Sequence, residues 1–137
     1  MTFLLDTNVI SELRRRSADP GVVAWVDARP TSDLFVSAMT LYELERGILG
    51  RERKDPVQGA LLRAWFTGQV LPQFDGRVLA VDGDVARRAA ALSVPDARPF
   101  SDGLIAATAL VHAKTVVTRN VQDFVGAGVA VVDPWHA

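Results

Sequence analysis

The sequence contains no cysteine and only two histidines, His112 and His136. The missing cysteines exclude disulfide bonds and thiolate metal sites, and they fit a cytoplasmic protein. The two histidines lie far apart in the chain with no other ligands beside them, so a histidine-based metal site is not expected. A metal site in this chain must therefore use oxygen ligands, which favour Mg²⁺ or Mn²⁺.

Long apolar runs and a strong net charge are also missing. No uninterrupted apolar stretch approaches the roughly 20 residues that span a bilayer. Asp6 interrupts the first apolar run at once, so a signal peptide is not predicted either. The net charge is −1, which leaves no overall basic surface for nucleic acid. Basic clusters occur at residues 14–16, 51–54 and 87–88, and we interpret them as solvated faces.

Hydrophobic residues make up 49% of the 137 residues, which is enough to form the core of one domain spanning residues 1–137. Short apolar segments alternate with helical patterns, and this order predicts a parallel sheet in an α/β/α sandwich. The predicted strands are residues 3–5, 34–37, 78–81, 115–118 and 129–132. The predicted helices are residues 9–16, 20–28, 39–50, 56–70 and 82–92, a core helix beginning at 102, and a helical turn at 120–124.

Capping residues mark several helix ends. Thr7 or Asn8 is expected to cap the first helix, and Asp19 with Pro20 begins the second. Pro72 is expected to end the fourth helix.

Four carboxylates stand where apolar segments begin or end. Asp6 follows the first strand, and Asp123 follows the strand at 115–118. Asp102 begins a segment that is apolar on every face, and an acid beside such a segment is costly to bury unless something positive meets it. The fourth is an acid of the third helix, where periodicity leaves Glu43 and Glu45 as alternatives. Because sites in parallel sheets form beyond the carboxyl ends of the strands, these acids predict a common site.

Four polar residues near these acids are supporting candidates. Asn8 and Thr118 are expected to bind water or a phosphate oxygen, and Arg119 to contact a phosphate. Asn120 is an alternative to Asp123 as the last member of the acidic set.

Four stretches together resemble the PIN-domain ribonucleases of the VapC toxin type. They are residues 5–12 (LDTNVISE), 42–47 (YELERG), 101–109 (SDGLIAATA) and 118–124 (TRNVQDF). The ending at 132–137 (VDPWHA) is similar to the FitB-like branch. The resemblance assigns the family's acidic quartet to Asp6, Glu43, Asp102 and Asp123, and so chooses Glu43 over Glu45.

The resemblance also implies a function. It implies a Mg²⁺-dependent endoribonuclease, with Mn²⁺ able to substitute, that cuts RNA by hydrolysis and leaves a 5′-phosphate and a 3′-hydroxyl. It further implies a homodimer and a small DNA-binding antitoxin whose tail covers the acidic groove, often with an arginine among the carboxylates.

Two other functions remain open at this stage. One is an aspartyl-phosphate phosphatase of the haloacid-dehalogenase type with Asp6 as nucleophile. Its opening motif has a second aspartate where this chain has Asn8, and it requires a lysine near the phosphate, while this chain offers only Lys54 and Lys114. The other is a PIN-like module that binds RNA or protein without cutting, although loss of one of the four acids would be its mark and none is lost.

Overall fold

A computed structural model describes residues 1–137. Its centre is a five-stranded sheet in the order β3-β2-β1-β4-β5, and every neighbouring pair of strands is parallel. The strands are β1 (Phe3–Leu5), β2 (Leu34–Ser37), β3 (Val78–Leu79), β4 (Thr115–Val117) and β5 (Val131–Val132). In the central strand, Phe3 is paired with Leu34 on one side and with Thr115 on the other. All five carboxyl ends therefore point to one edge of the sheet.

Helices connect the parallel strands. They are α1 (Thr7–Arg14), α2 (Pro20–Asp27), α3 (Ala38–Lys54), α4 (Pro56–Trp65), α5 (Leu71–Gln73), α6 (Gly83–Leu92) and α7 (Phe100–Val111). A π-helical segment at Phe66–Val70 joins α4 to α5, and short 3₁₀ helices lie at Thr31–Asp33 and Val121–Phe124. No helix combines the length and the apolar character that crossing a membrane requires.

The buried core is divided by the sheet into two layers. Phe3 and Leu5 belong to a cluster of 15 buried residues drawn mainly from β1, β2, α1 to α3 and the π-helical segment. Leu4, on the opposite side of the same strand, packs with Ile105 and Ala109 of α7 and with Val116 of β4. This alternation follows from the two-residue period of a strand. The α/β architecture with a parallel sheet flanked by helices is confirmed.

Several predicted element ends need correction. The cap of the first helix is Asp6, not Thr7 or Asn8, because α1 begins directly after β1 without a loop. The third helix is longer than predicted and ends at Lys54, where Asp55 takes over as the cap of α4. Pro72 does not end the fourth helix; it lies in the first turn of α5, where its missing N–H is tolerated.

The remaining differences are at strand and helix ends. Three strands are shorter than predicted. The strands predicted at 78–81 and 115–118 end at Leu79 and Val117, and the strand predicted at 129–132 begins at Val131. The apolar helix begins at Phe100, two residues before Asp102, so that Asp102 lies in its first turn. The cap prediction of Asp19 followed by Pro20 is confirmed.

Candidate active site

Asp6 lies at the carboxyl end of the central strand and is almost fully buried. Its backbone N–H donates to the carbonyl of Val117, as the sheet requires. One carboxylate oxygen, Oδ1, accepts the N–H of Thr7 at 2.8 Å, which caps α1. The other oxygen, Oδ2, accepts the hydroxyl of Thr118 at 2.8 Å. Asp6 is therefore both a helix cap and a carboxylate fixed in orientation at the edge of the sheet.

Thr118 follows the neighbouring strand β4 and is fully buried. While its hydroxyl donates to Asp6, its oxygen accepts from Asn8 Nδ2 at 3.1 Å and from the backbone N–H of Asn120 at 3.0 Å. The hydroxyl thus has one donor and two acceptor positions in use, which is its full capacity. Thr118 consequently positions Asp6 and has no free position for water or phosphate, contrary to the sequence-based expectation.

The other three supporting candidates lie around the same hydroxyl. Asn8 Oδ1 accepts the backbone N–H of Arg119 at 3.3 Å, so that Asn8 links α1 to the segment after β4. The guanidinium of Arg119 lies 5.3 Å from the ring centroid of Trp135, on the exposed surface. Asn120 reaches the site through its backbone N–H. A phosphate contact by Arg119 stays a prediction.

Glu43 lies in the second turn of α3, which begins at the carboxyl end of β2 with Ser37 as its cap. Its Oε1 accepts the hydroxyl of Thr7 at 2.8 Å, and Thr7 Oγ1 also lies 3.1 Å from Thr40 Oγ1. Thr7 therefore joins the helix after β1 to the helix after β2 and brings Glu43 beside Asp6.

Glu45, the alternative acid of this helix, has a different partner. Arg63 of α4 donates to Glu45 at 2.9 Å and to Glu52 at 3.0 Å. The hydrogen bond from Arg63 lowers the pKa of the Glu45 carboxyl. The structure thus assigns Glu45 to the packing of α3 on α4, and Glu43 to the edge of the sheet.

Asp102 and Asp123 approach from the other side of the sheet. Asp102 lies partly buried in the first turn of α7, and Asp123 is exposed in the 3₁₀ helix after β4. Burial, followed by the negative charges of Asp123, Asp6 and Glu43, raises the pKa of Asp102 to about 6. The pKa of Asp6 is also raised, first by burial and then by Glu43 and Asp123, against the lowering effect of the Thr118 and Thr7 hydrogen bonds. The four carboxylates are thus brought close enough to repel one another.

Arg98 is a residue of this site that sequence reasoning did not identify. Its charge counteracts the rise in the pKa of Asp102. Its guanidinium donates to the carbonyls of Leu92, Asp123 and Val125, at 3.1, 3.4 and 3.0 Å. Arg98 therefore ties the loop before α7 to the turn that carries Asp123. Its position four residues before Asp102 was the only signal in the sequence.

The donor chemistry of the site fits a hard divalent cation. The four acids offer only carboxylate oxygens, which are the ligands that Mg²⁺ prefers, and their mutual repulsion would be relieved by a positive ion. As the side chains stand, no group of three histidines, aspartates or glutamates is arranged to hold one metal ion. Binding by more than two of these acids would require side-chain movement toward the ion.

Comparison with known proteins places this geometry in a family. Residues 3–125 match the PIN domain family. The chain is a member of the PIN domain family. This membership confirms the resemblance noted in the four sequence stretches, and it covers all four acids of this PIN domain.

Two curated relatives align over nearly the whole PIN domain. The VapC ribonuclease Y4jK of Sinorhizobium fredii is 39% identical over 97% of this chain and 97% of its own. The toxin FitB of Neisseria gonorrhoeae is 40% identical over 97% of this chain and 98% of its own. The expected likeness to VapC-type toxins, and to FitB among them, is confirmed.

Two solved structures share the fold. The crystal structure of FitAcB from Neisseria gonorrhoeae matches with a TM-score of 0.90 and 38% identity, covering 99% of this chain and 100% of that chain. A toxin–antitoxin complex from Klebsiella pneumoniae matches with a TM-score of 0.69 and 27% identity, covering 97% of this chain and 98% of that chain. The arrangement of strands and helices described above is therefore the arrangement of these proteins.

Proposed function

We propose that this PIN domain is a Mg²⁺-dependent endoribonuclease and the toxin of a type II toxin–antitoxin pair. The observation that carries the proposal is the convergence of Asp6, Glu43, Asp102 and Asp123 from four separate elements at the carboxyl edge of the sheet. The names of its relatives, a ribonuclease and a toxin, support the same function.

In this proposal Asp6 and Asp102 are the main metal ligands. Glu43, held by the Thr7 hydroxyl, completes the metal shell or orients the attacking water. Asp123 would contribute a further carboxylate, and its exposure supports access by a flexible substrate. When bound, the ion would polarise the phosphodiester and lower the pKa of a water molecule. The expected products carry a 5′-phosphate and a 3′-hydroxyl.

The substrate is proposed to be a single-stranded segment of RNA. A duplex hides the scissile bond and the base edges, whereas an unpaired segment can be laid across an open edge. The proposed site is such an edge, because Asp102 is only partly buried and Asp123 is exposed.

We further propose a small DNA-binding antitoxin as partner, in keeping with the toxin–antitoxin complex found among the similar structures. A guanidinium from its tail would neutralise the clustered carboxylates as a cation does, through paired hydrogen bonds. We also expect one domain over residues 1–137, a homodimer and a cytoplasmic location.

The proposal is tested by cleavage of single-stranded RNA with purified protein. Wild-type protein should cut with Mg²⁺ or Mn²⁺, weakly with Zn²⁺, and not with excess chelator. The Asp6→Asn and Asp102→Asn variants should lose activity while remaining folded. Asp82→Asn is a matched control, because Asp82 also caps a helix, through the N–H of Val85, but lies at the start of α6 outside the acidic site.

The outcomes separate the competing functions. Full activity in either site variant, or robust cleavage in chelator, would contradict the metal-dependent mechanism. Hydrolysis of a phosphomonoester in place of RNA would favour the aspartyl-phosphate phosphatase. RNA binding without cleavage by folded wild-type protein would favour the inert binding module.

A further inference from the structure

A groove of about 440 Å³ runs along one face of α3, starting at the candidate active site. Its lining residues include no hydrophobic side chain. They are Glu43, Arg46, Gly47, Gly50, Arg51 and Lys54. Glu43 belongs to the acidic site at one end, and the eleven helical steps from Glu43 to Lys54 correspond to about 16 Å of helix. The groove is thus a basic extension of the acidic site.

The three cations of this groove have no partners within the chain. Arg46, Arg51 and Lys54 are exposed and take part in none of the salt bridges or side-chain hydrogen bonds. Apart from Glu43 at the end of the groove, the acids of the same helix are turned away from them. Glu45 and Glu52 lie on the opposite face, where Arg63 of α4 binds both. Opposite charges are therefore separated across α3, and one face keeps an unneutralised positive charge.

Two glycines form the floor of this groove. Gly47 and Gly50 lie inside a 17-residue helix, where glycine costs up to about 1 kcal/mol relative to alanine. A Cβ atom at either position would meet nothing within 4 Å. Packing inside the chain therefore does not account for their lack of a side chain. Their effect is to leave room for another molecule to approach the helix backbone between the cations.

We propose that this α3 groove holds the sugar–phosphate backbone of single-stranded RNA that extends from the cleavage site, with Arg51 and Lys54 binding phosphates. The inference rests on the proposed ribonuclease function and adds a substrate-binding surface to it. RNA fits better than an acidic peptide, because a peptide interface depends on apolar and aromatic anchors and this groove offers none. Phosphate recognition, in contrast, requires only positive charge and hydrogen-bond donors.

The test measures binding of a single-stranded RNA of about 12 nucleotides, comparable to single-strand site sizes, by fluorescence anisotropy in chelator so that it is not cut. Arg51→Glu/Lys54→Glu should weaken RNA binding about tenfold or more. The plot of the log association constant against log salt concentration should become less steep by about 1.4, as expected when two phosphate contacts are lost. Arg87→Glu/Arg88→Glu, on α6, changes the net charge equally and should stay within about twofold of wild type.

Two further measurements separate the loss of phosphate binding from an effect of the added acids or from a change in catalysis. Arg51→Gln/Lys54→Gln should show a smaller loss of the same kind, without placing acids at the carboxyl end of α3. With Mg²⁺ present, a dinucleotide, too short to reach Arg51, should be cut by the charge-reversed variant as fast as by wild type. The longer RNA should then show a raised KM with kcat nearly unchanged.

The outcomes distinguish this inference from the function on which it rests. If wild type cuts RNA but the α3 and α6 variants bind alike, the groove proposal is wrong and the ribonuclease stands. If wild type cuts no RNA while charge reversal on α3 alone abolishes binding, the groove stands as an RNA-binding surface and the ribonuclease fails. Tighter binding of an oligoglutamate of equal length than of RNA would overturn the choice of RNA.

Discussion

The hydroxyl of Thr118 lies 2.8 Å from Asp6 Oδ2, and it joins the ends of two neighbouring strands at the centre of the site. Asp6 follows β1 and Thr118 follows β4, so the hydrogen bond fixes the direction in which the buried carboxylate faces. The Asn8 side chain donates to the same hydroxyl from α1, and the Asn120 backbone donates to it from two residues further along the chain. The Thr118 side chain therefore orients the carboxylate of Asp6 without being a metal ligand itself.

Replacing Thr118 with valine keeps the shape of the side chain and removes these hydrogen bonds. Mg²⁺-dependent cleavage should fall about 10- to 100-fold, as is usual when a partner of a metal ligand is lost. The measurement is a Mg²⁺ titration of cleavage, in which the midpoint should move to higher concentration. Thr118→Ser keeps the hydroxyl and should restore most of the activity. Equal activity in the valine and serine variants would show that the hydroxyl has no positioning role.

Asp102 should make the metal-free protein sensitive to pH. Its folded-state pKa is raised from 3.8 to about 6, so the fold favours the protonated carboxyl. The contribution of Asp102 to the free energy of unfolding is fully present below about pH 4, and it is lost as the pH rises through 6. Since the carboxyl is only partly buried, we expect a change of no more than about 1 kcal/mol.

Urea unfolding in chelator between pH 4 and 7 measures this effect. Asp102→Asn should flatten the profile and be more stable than wild type above pH 6, because a neutral amide removes the cost of burying a charge and the repulsion from Asp123, Asp6 and Glu43. Superimposable profiles would mean that neither burial nor repulsion acts on Asp102 as described.

Expression in a bacterium tests the toxin part of the proposed function. Wild-type protein should stop growth, and the Asp6→Asn variant at the same level should not. Co-expression of the partner should restore growth, and changing its neutralising arginine to glutamate should weaken the rescue, because a carboxylate is repelled where a guanidinium is held. Normal growth and intact RNA with folded wild-type protein would favour the inert binding module.

Gly59 should be required for the contact between α3 and α4. A Cβ atom there would lie 2.5 Å from Glu52 Cα and 2.8 Å from Glu52 N, which are backbone atoms that cannot rotate away. Gly59→Ala should therefore destabilise the fold by about 1–3 kcal/mol, as overpacking typically does. Gly68→Ala is the control, since a Cβ there meets nothing within 4 Å, and its stability should be unchanged or slightly raised. Equal midpoints in urea for the two variants would contradict this account.

Local sequence patterns predicted much of the fold. The bounds of β1 and β2 follow from short apolar runs, and the start of α2 follows from Asp19 and Pro20. The cap of α1 was missed because Thr7 and Asn8 are also good caps, and only the direct passage from strand to helix identifies Asp6. Neighbouring residues are often equally good caps, so the exact end of a helix is decided by tertiary contacts more than by local sequence preference.

The candidate site was harder to predict for a different reason. Helical periodicity could not separate Glu43 from Glu45, because the deciding partners, Thr7 and Arg63, lie 36 residues before the first and 18 residues after the second. Arg98 was missed in the same way, since its contact with the carbonyl of Asp123 spans 25 residues. The resemblance to a family supplied the choice of Glu43, which the contacts of the two acids then explain.

The double use of Asp6 has a consequence for how this protein can be silenced. Asparagine caps helices about as well as aspartate, and its amide oxygen can keep the hydrogen bond to the N–H of Thr7. Exchanging one oxygen for nitrogen would remove a charge from the acidic site while α1 still begins at the same place. An inert copy that differs by one non-hydrogen atom therefore keeps the start of α1 and gives up only the hydrogen bond from Thr118, and a partner that recognises the shape of this surface would bind both.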